Sequence, residues 1–188
     1  IVLLALALRF YKLTENPPAL NWDEVSIGYN AYSILKTGKD EWGQTYPVHF
    51  KSYGEYKLPA QIYLSIPAIS IFGLNEFAVR LPSALAGIAT VIIVFFLCRT
   101  IFPKSPLCSY VAPLLLAISP WHLLFSRSSM LVGIEVMFIS LGLLLFLKSL
   151  TRPPLLYLGA LSFTAAIYTY YGSRITVPLL LLVLTLIL

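Results

Sequence analysis

The stretch LPSALAGIATVIIVFFLC, Leu81–Cys98, runs for eighteen residues without a single charge. A helix needs about 17–25 mostly apolar residues to cross a bilayer, so this stretch alone points to a helical membrane protein. The composition agrees. Of the 188 residues, 59% are hydrophobic and 11% are charged, less than half the ~25% charged residues of ordinary soluble domains. Mean hydropathy is +0.84. On the C-terminal side, Leu107–Phe125, Met130–Leu147 and Leu155–Tyr171 read as further spans, and a last apolar run opens at Ile175.

The expected fold class is all-α: a polytopic transmembrane helical protein with a long first loop. Residues 1–8 read as part of a first span, 9–80 as the loop, and 81–188 as transmembrane helices with the last one truncated. The chain therefore reads as the N-terminal part of a longer protein. Ile1–Leu8 lacks the basic start and the small-residue cleavage site of a signal peptide. Pro113 and Pro120 fall inside one span, where neighbouring helices can satisfy the freed backbone groups.

The segment Leu58–Leu74 decides the topology. It is apolar but carries Pro59, Gln61 and Pro67, and it is barely long enough to cross. If it lies in the membrane interface, Arg99, Lys104, Lys148 and Arg152 fall in two short loops on one side with no acid among them. The positive-inside rule makes that side cytoplasmic. All eight acids then lie on the external side or, for Glu135, just inside a span from it. The loop becomes the external, functional face.

Within that loop the four residues Asn21-Trp22-Asp23-Glu24 hold an adjacent pair of acids. From Asp23 to Lys36, Val25, Tyr29 and Tyr32 recur at helical spacing beside Ile27, Ala31 and Ile34. This predicts a short amphipathic helix suited to a membrane surface, with Asp23 as N-cap and Gly38 as stop. Lys39–Gly54 reads as turn-rich loop.

The formal charge of +5 comes from cations at span ends and in loops, with no basic helix, so nucleic acid is not an expected partner. Cys98 and Cys108 have no metal-ligand spacing and read as packing residues. His49 and His122 stand alone and far apart.

Three motifs, taken in order, carry a resemblance: Asn21–Glu24, then Glu55-Tyr56-Lys57-Leu58-Pro59, then Phe72–Pro82 with its Asn75-Glu76-Phe77-Ala78-Val79-Arg80-Leu81. Ser126-Arg127 and Tyr168–Arg174 extend it. Together they resemble membrane glycosyltransferases of the GT-C superfamily, glycosyltransferase family 39, akin to protein O-mannosyltransferases and aminoarabinose transferases. The resemblance implies a sugar donor on a polyprenyl phosphate and transfer at the extracytoplasmic face of a multi-pass membrane protein. The acceptor would be a hydroxyl on protein, lipid or cell-envelope glycan. It places the acidic pair in the catalytic loop and a basic residue at the donor phosphate. Lys57-Leu58-Pro59 departs from the Lys-Pro-Pro of many members, and Glu135 is the nearest candidate for their second-loop acid.

The residues alone argue the same way in less detail. Glycosyl transfer needs a carboxylate to take the acceptor's proton and cations to hold the leaving phosphate. Asp23, Glu24 and Glu135 are the candidate catalytic acids, and Lys57, Arg80, Arg127 and Arg174 the candidate phosphate ligands. Tyr56 and Tyr171 are candidate substrate contacts. Asp23 and Glu24 suit a hard divalent cation, although the sequence requires no cofactor.

Each residue also has a plain structural role open to it. The two acids can cap a helix, Lys57 can snorkel, and Arg80 can anchor a span. Glu135 can pair with Arg127 or Arg174 between spans, and Tyr168, Tyr170 and Tyr171 can form an aromatic belt. The rival function is a transporter or flippase, which usually carries its acids at mid-membrane on broken helices. A scaffold that has lost activity is the other.

Overall fold

The computed structural model describes residues 1–187 and is an all-α membrane protein with one small β-hairpin. The elements are α1 (Val2–Phe10), α2 (Trp22–Thr37), β1 (Phe50–Ser52), β2 (Glu55–Lys57), α3 (Ala60–Phe72) and α4 (Glu76–Ile101). They continue as α5 (Pro106–Ile118), α6 (Pro120–Arg127), α7 (Leu131–Ser149), α8 (Leu155–Ile167) and α9 (Ser173–Ile187). Helix α4, 26 residues and about 39 Å long at ~1.5 Å per residue, is the central post. It packs against α1, α3, α5, α6 and α7. Both α4 and α7 are long and apolar enough to cross a membrane.

The expected span Leu107–Phe125 is not one straight helix. It breaks between α5 and α6 with a bend of 58°. Pro120 causes the break, because it has no N–H to donate back into α5 and it excludes Ser119 from helical geometry. Pro113, by contrast, is absorbed within α5. Arg9 uses the break. Its buried guanidinium donates to the freed Ala117 carbonyl at 3.4 Å and meets His122 Nδ1 at 2.7 Å, pinning α1 to the bend. His122 is therefore not a lone histidine.

The expected span Leu155–Tyr171 is likewise shorter than its apolar run, since α8 stops at Ile167 and Tyr168–Gly172 turns back. At 13 residues each, α3 and α8 fall below the ~17 needed to cross.

Close approach of the helices depends on glycine. A Cβ on Gly87 of α4 would lie 2.5 Å from Ser126 Cβ and 2.8 Å from Arg9 Nε, and one on Gly142 of α7 would lie 2.7 Å from the Phe163 ring of α8.

Between α1 and α4 the chain packs back on α4 through α2 and α3. Helix α2 begins two residues earlier than the sequence predicts. Asn21, not Asp23, is the N-cap, while Gly38 ends the helix in the left-handed conformation as expected. Its two apolar stripes part company. Ile27, Ala31 and Ile34 are buried against α3, while Val25 and Tyr29 stay exposed. The Lys39–Gly54 loop ends in structure the sequence reading missed. Strands β1 and β2 pair antiparallel, Phe50 opposite Lys57 and Ser52 opposite Glu55. Tyr53 and Gly54 between them both have positive φ, the geometry of a two-residue type I′ turn.

Candidate active site

The acidic pair splits. Neighbouring residues on a helix point about 100° apart, so Asp23 and Glu24 in the first turn of α2 serve different surroundings. Glu24 turns inward and is 1% exposed. It completes a capping box, with Glu24 N donating to Asn21 Oδ1 at 2.9 Å and Asn21 N donating to Glu24 Oε2 at 3.0 Å. Its Oε1 accepts from Arg80 Nε at 2.9 Å and from Ser129 N at 3.0 Å. One carboxylate thus joins α2, α4 and the α6–α7 connection.

Arg80 is fully buried. A guanidinium has five N–H donors, and acceptors stand at all of them: both oxygens of Glu24 and the carbonyls of Leu13, Pro17 and Ala19. Nothing of Arg80 is left to point at a ligand.

Asp23 faces the other way. Its Oδ1 accepts from Lys57 Nζ at 2.5 Å, and the same ammonium donates to Glu55 Oε1 at 2.5 Å. Glu55 and Lys57 lie two apart on β2 and so share a strand face. Opposite Lys57 on that face is Phe50, buried against the Tyr63 ring, which seats the hairpin. Ser52 Oγ donates to Ser26 Oγ at 2.8 Å and ties the hairpin to α2. Lys57 is 2% exposed, while Asp23 is 31% and Glu55 62% exposed. Burial works against the ammonium's charge, but hydrogen bonds and charge attraction from the two carboxylates outweigh it. The Lys57 pKa is raised above its ordinary value.

These groups line a cleft of about 260 Å³. Asp23, Glu55, Tyr56 and Lys57 form one wall, Phe125 and Ser129–Val132 a second, and Tyr170 and Tyr171 a third. A hydrogen bond from Ala60 N to the Tyr168 carbonyl, 3.2 Å, brings the third wall up to β2. About one turn further along α7 opens an apolar groove of about 340 Å³ between α3, α4 and α7, lined by residues such as Leu64, Leu85 and Met137. A larger pocket of about 440 Å³ between α1, α4 and α5 carries no charged side chain and offers nothing to a polar reaction.

The structure therefore gathers Asp23, Lys57, Tyr56 and Tyr171 in one cleft. It does not bring the other candidates there. The Arg127 guanidinium is held by the carbonyls of Leu8, Lys12 and Asn16 at 2.6–3.2 Å. Arg174 stacks 4.8 Å from the centre of the Tyr171 ring. Glu135, 7% exposed, accepts from Ser173 Oγ at 2.5 Å, so a hydroxyl takes the place of the expected arginine partner. A cation shared by Asp23 and Glu24 does not fit, because both Glu24 oxygens are already taken by N–H donors. Among the described residues no cluster of three or more potential metal ligands occurs.

Glu55 is the cleft residue the sequence reading did not single out. Its signal was the i, i+2 spacing to Lys57, which is informative only once the hairpin is recognised.

Fold and cleft together define a polytopic helical membrane protein with an acid–lysine cleft and, about one turn along α7, an apolar groove. The chain belongs to the dolichyl-phosphate-mannose-protein mannosyltransferase family, whose pattern it matches over residues 59–188. It is also similar to the "Putative mannosyltransferase YkcB" of Bacillus subtilis (strain 168), at 26% identity over 111 residues, 59% of this chain. The match spans 15% of that relative's length. No solved structure gives a significant match. The family pattern begins just after Lys57, so Asp23, Glu55 and Lys57 rest on geometry and motif resemblance alone.

Proposed function

We propose that the protein is a glycosyltransferase that moves a sugar from a polyprenyl-phosphate carrier to an acceptor hydroxyl at the extracytoplasmic face. The single observation that carries this reading is the buried Lys57 ammonium held against Asp23 at 2.5 Å, in a cleft next to an apolar groove. Family membership supports it. Lys57 supplies the charge for the donor phosphate, and its third N–H makes no hydrogen bond among the described residues. Asp23 Oδ2, likewise unbonded there, is the general base. The groove between α3, α4 and α7 suits the isoprenoid chain.

In the reaction the acceptor oxygen attacks the anomeric carbon and the bond from that carbon to the phosphate oxygen breaks. The hydroxyl proton passes to Asp23 and the electron pair leaves with the polyprenyl phosphate beside Lys57. Glu24 and Arg80 hold α2 against α4 so that Asp23 keeps its place. Mannose is the first sugar to try, with protein, lipid or envelope glycan as acceptor.

The test uses full-length protein in liposomes with a polyprenyl-phosphate mannose labelled in the sugar. Label appearing in a new glycosidic bond, one polyprenyl phosphate released per transfer, supports the reading. Label that crosses the bilayer still on its carrier, with no bond made, would replace it with transport.

A further inference from the structure

The Lys57 ammonium carries one positive charge and touches two carboxylates, Asp23 and Glu55, both at 2.5 Å. The cluster therefore has a surplus negative charge. An incoming phosphate would meet two oxyanions around the one cation meant to receive it. The charge count favours one carboxylate stepping aside, even though the third N–H of the ammonium is open among the described residues.

The two are not equally able to do so. Asp23 stands in the first turn of α2, where Asn21 and Glu24 fix the backbone, and it is 31% exposed. Glu55 opens β2 directly after the Tyr53–Gly54 turn and is 62% exposed. Water solvates a carboxylate at that position with no change in the backbone, because a rotation of the Glu55 side chain is enough. Asp23, fixed on α2, stays against Lys57 when Glu55 leaves, so the buried ammonium is never uncompensated before the phosphate arrives.

We propose that Glu55 is the exchangeable counter-ion of Lys57: a positioning residue that holds the ammonium while the cleft is empty and yields it to the phosphate of a phosphorylated isoprenoid. The inference rests on the donor-phosphate reading of Lys57. It adds a role in release. A sugar phosphodiester carries one negative charge, whereas the phosphate monoester it leaves behind carries about 1.5 to 2 near pH 7. The monoester therefore holds Lys57 more tightly than the donor does, and a carboxylate waiting two residues away competes to reclaim it. Glu55 thus weakens the grip on both lipids, and most on the product.

Farnesyl phosphate is the probe, titrated into full-length protein in nanodiscs, with farnesol as the uncharged control. Glu55→Gln should bind farnesyl phosphate about three- to fivefold more tightly than wild type, the upper part of the range for a partly exposed ion pair, with farnesol unchanged. In turnover the same variant should show a lower KM for donor, stronger inhibition by farnesyl phosphate, and no gain in kcat. Glu55→Asp, which keeps the charge, should return towards wild type, and Glu55→Ser gives a second neutral variant if the glutamine folds poorly. Weaker or unchanged binding in the neutral variants, alongside a loss of binding in Lys57→Ala, overturns the role of Glu55 and leaves the Lys57 reading standing. Unchanged binding in Lys57→Ala overturns both.

Discussion

Glu24 and Arg80, 56 positions apart, form an ion pair 2.9 Å long in which neither side chain is more than 1% exposed. The pair joins the start of α2 to the start of α4, and Arg80 adds the carbonyls of Leu13, Pro17 and Ala19 to the same knot. Removing one partner strands the other's charge in the interior.

Arg80→Ala and Glu24→Ala should therefore each cost about 3–5 kcal/mol of stability, the usual result of breaking a buried pair. Arg80→Lys should recover little, since an ammonium cannot copy the five-donor fork. Thermal unfolding in detergent checks this. A wild-type Tm in Arg80→Ala would remove the knot from the account.

Gly87→Ala probes the α4–α6 contact. The added methyl would meet Ser126 Cβ at 2.5 Å and Arg9 Nε at 2.8 Å, so overpacking should cost about 1–3 kcal/mol. Gly87→Ala in a Ser126→Gly background should recover part of the loss. Equal Tm values in the single and double variants would mean the helices adjust freely.

The Lys57 ion pairs set an alkaline limit. The folded-state pKa lies above the ordinary 10.5, so the contribution of Lys57 to stability is complete below pH about 10.5. It is lost as pH rises through the folded value. Lys57→Met should flatten the high-pH limb of Tm against pH and leave the neutral region without added pH dependence. An unchanged alkaline limb would mean that Lys57 titrates as it does in the unfolded chain.

Sidedness is open to labelling. Ser52 is 2% exposed while Tyr53 at the hairpin tip is 67% exposed, so Tyr53→Cys and Ser105→Cys are the reporters, in a background without Cys98 and Cys108. An impermeant thiol reagent on intact cells should modify Tyr53→Cys and spare Ser105→Cys. The reverse pattern would put the cleft in the cytoplasm.

The sequence revealed what long periodic stretches reveal. Leu81–Cys98 falls within α4, and Met130–Leu147 matches α7 but for its N-cap Met130, because uninterrupted apolar length specifies a helix with little help from its neighbours. Leu107–Phe125 is apolar enough for one span, but its run is broken where Pro120 withholds a hydrogen bond, a bend that hydropathy does not register. The hairpin was invisible. Three-residue strands reading FKS and EYK have almost no pattern of their own, and the burial of Phe50 holds them in place.

The site divides along the same line. Asp23, Glu24 and Lys57 were legible as residue types in a motif. Which acid faces the cleft and which is consumed by Arg80 depends on contacts across 56 positions, and no local spacing encodes those.

The central claim is that Asp23 is the general base of a sugar transfer. Asp23→Asn keeps the shape and removes most of the basicity, and position 21 still caps α2, so folding should survive. Turnover and donor binding measured separately on the full-length variant in lipid test the claim most directly. The account predicts near-normal donor binding with turnover lowered about 10²–10⁴-fold, and Asp23→Asn turning over at close to the wild-type rate would contradict it.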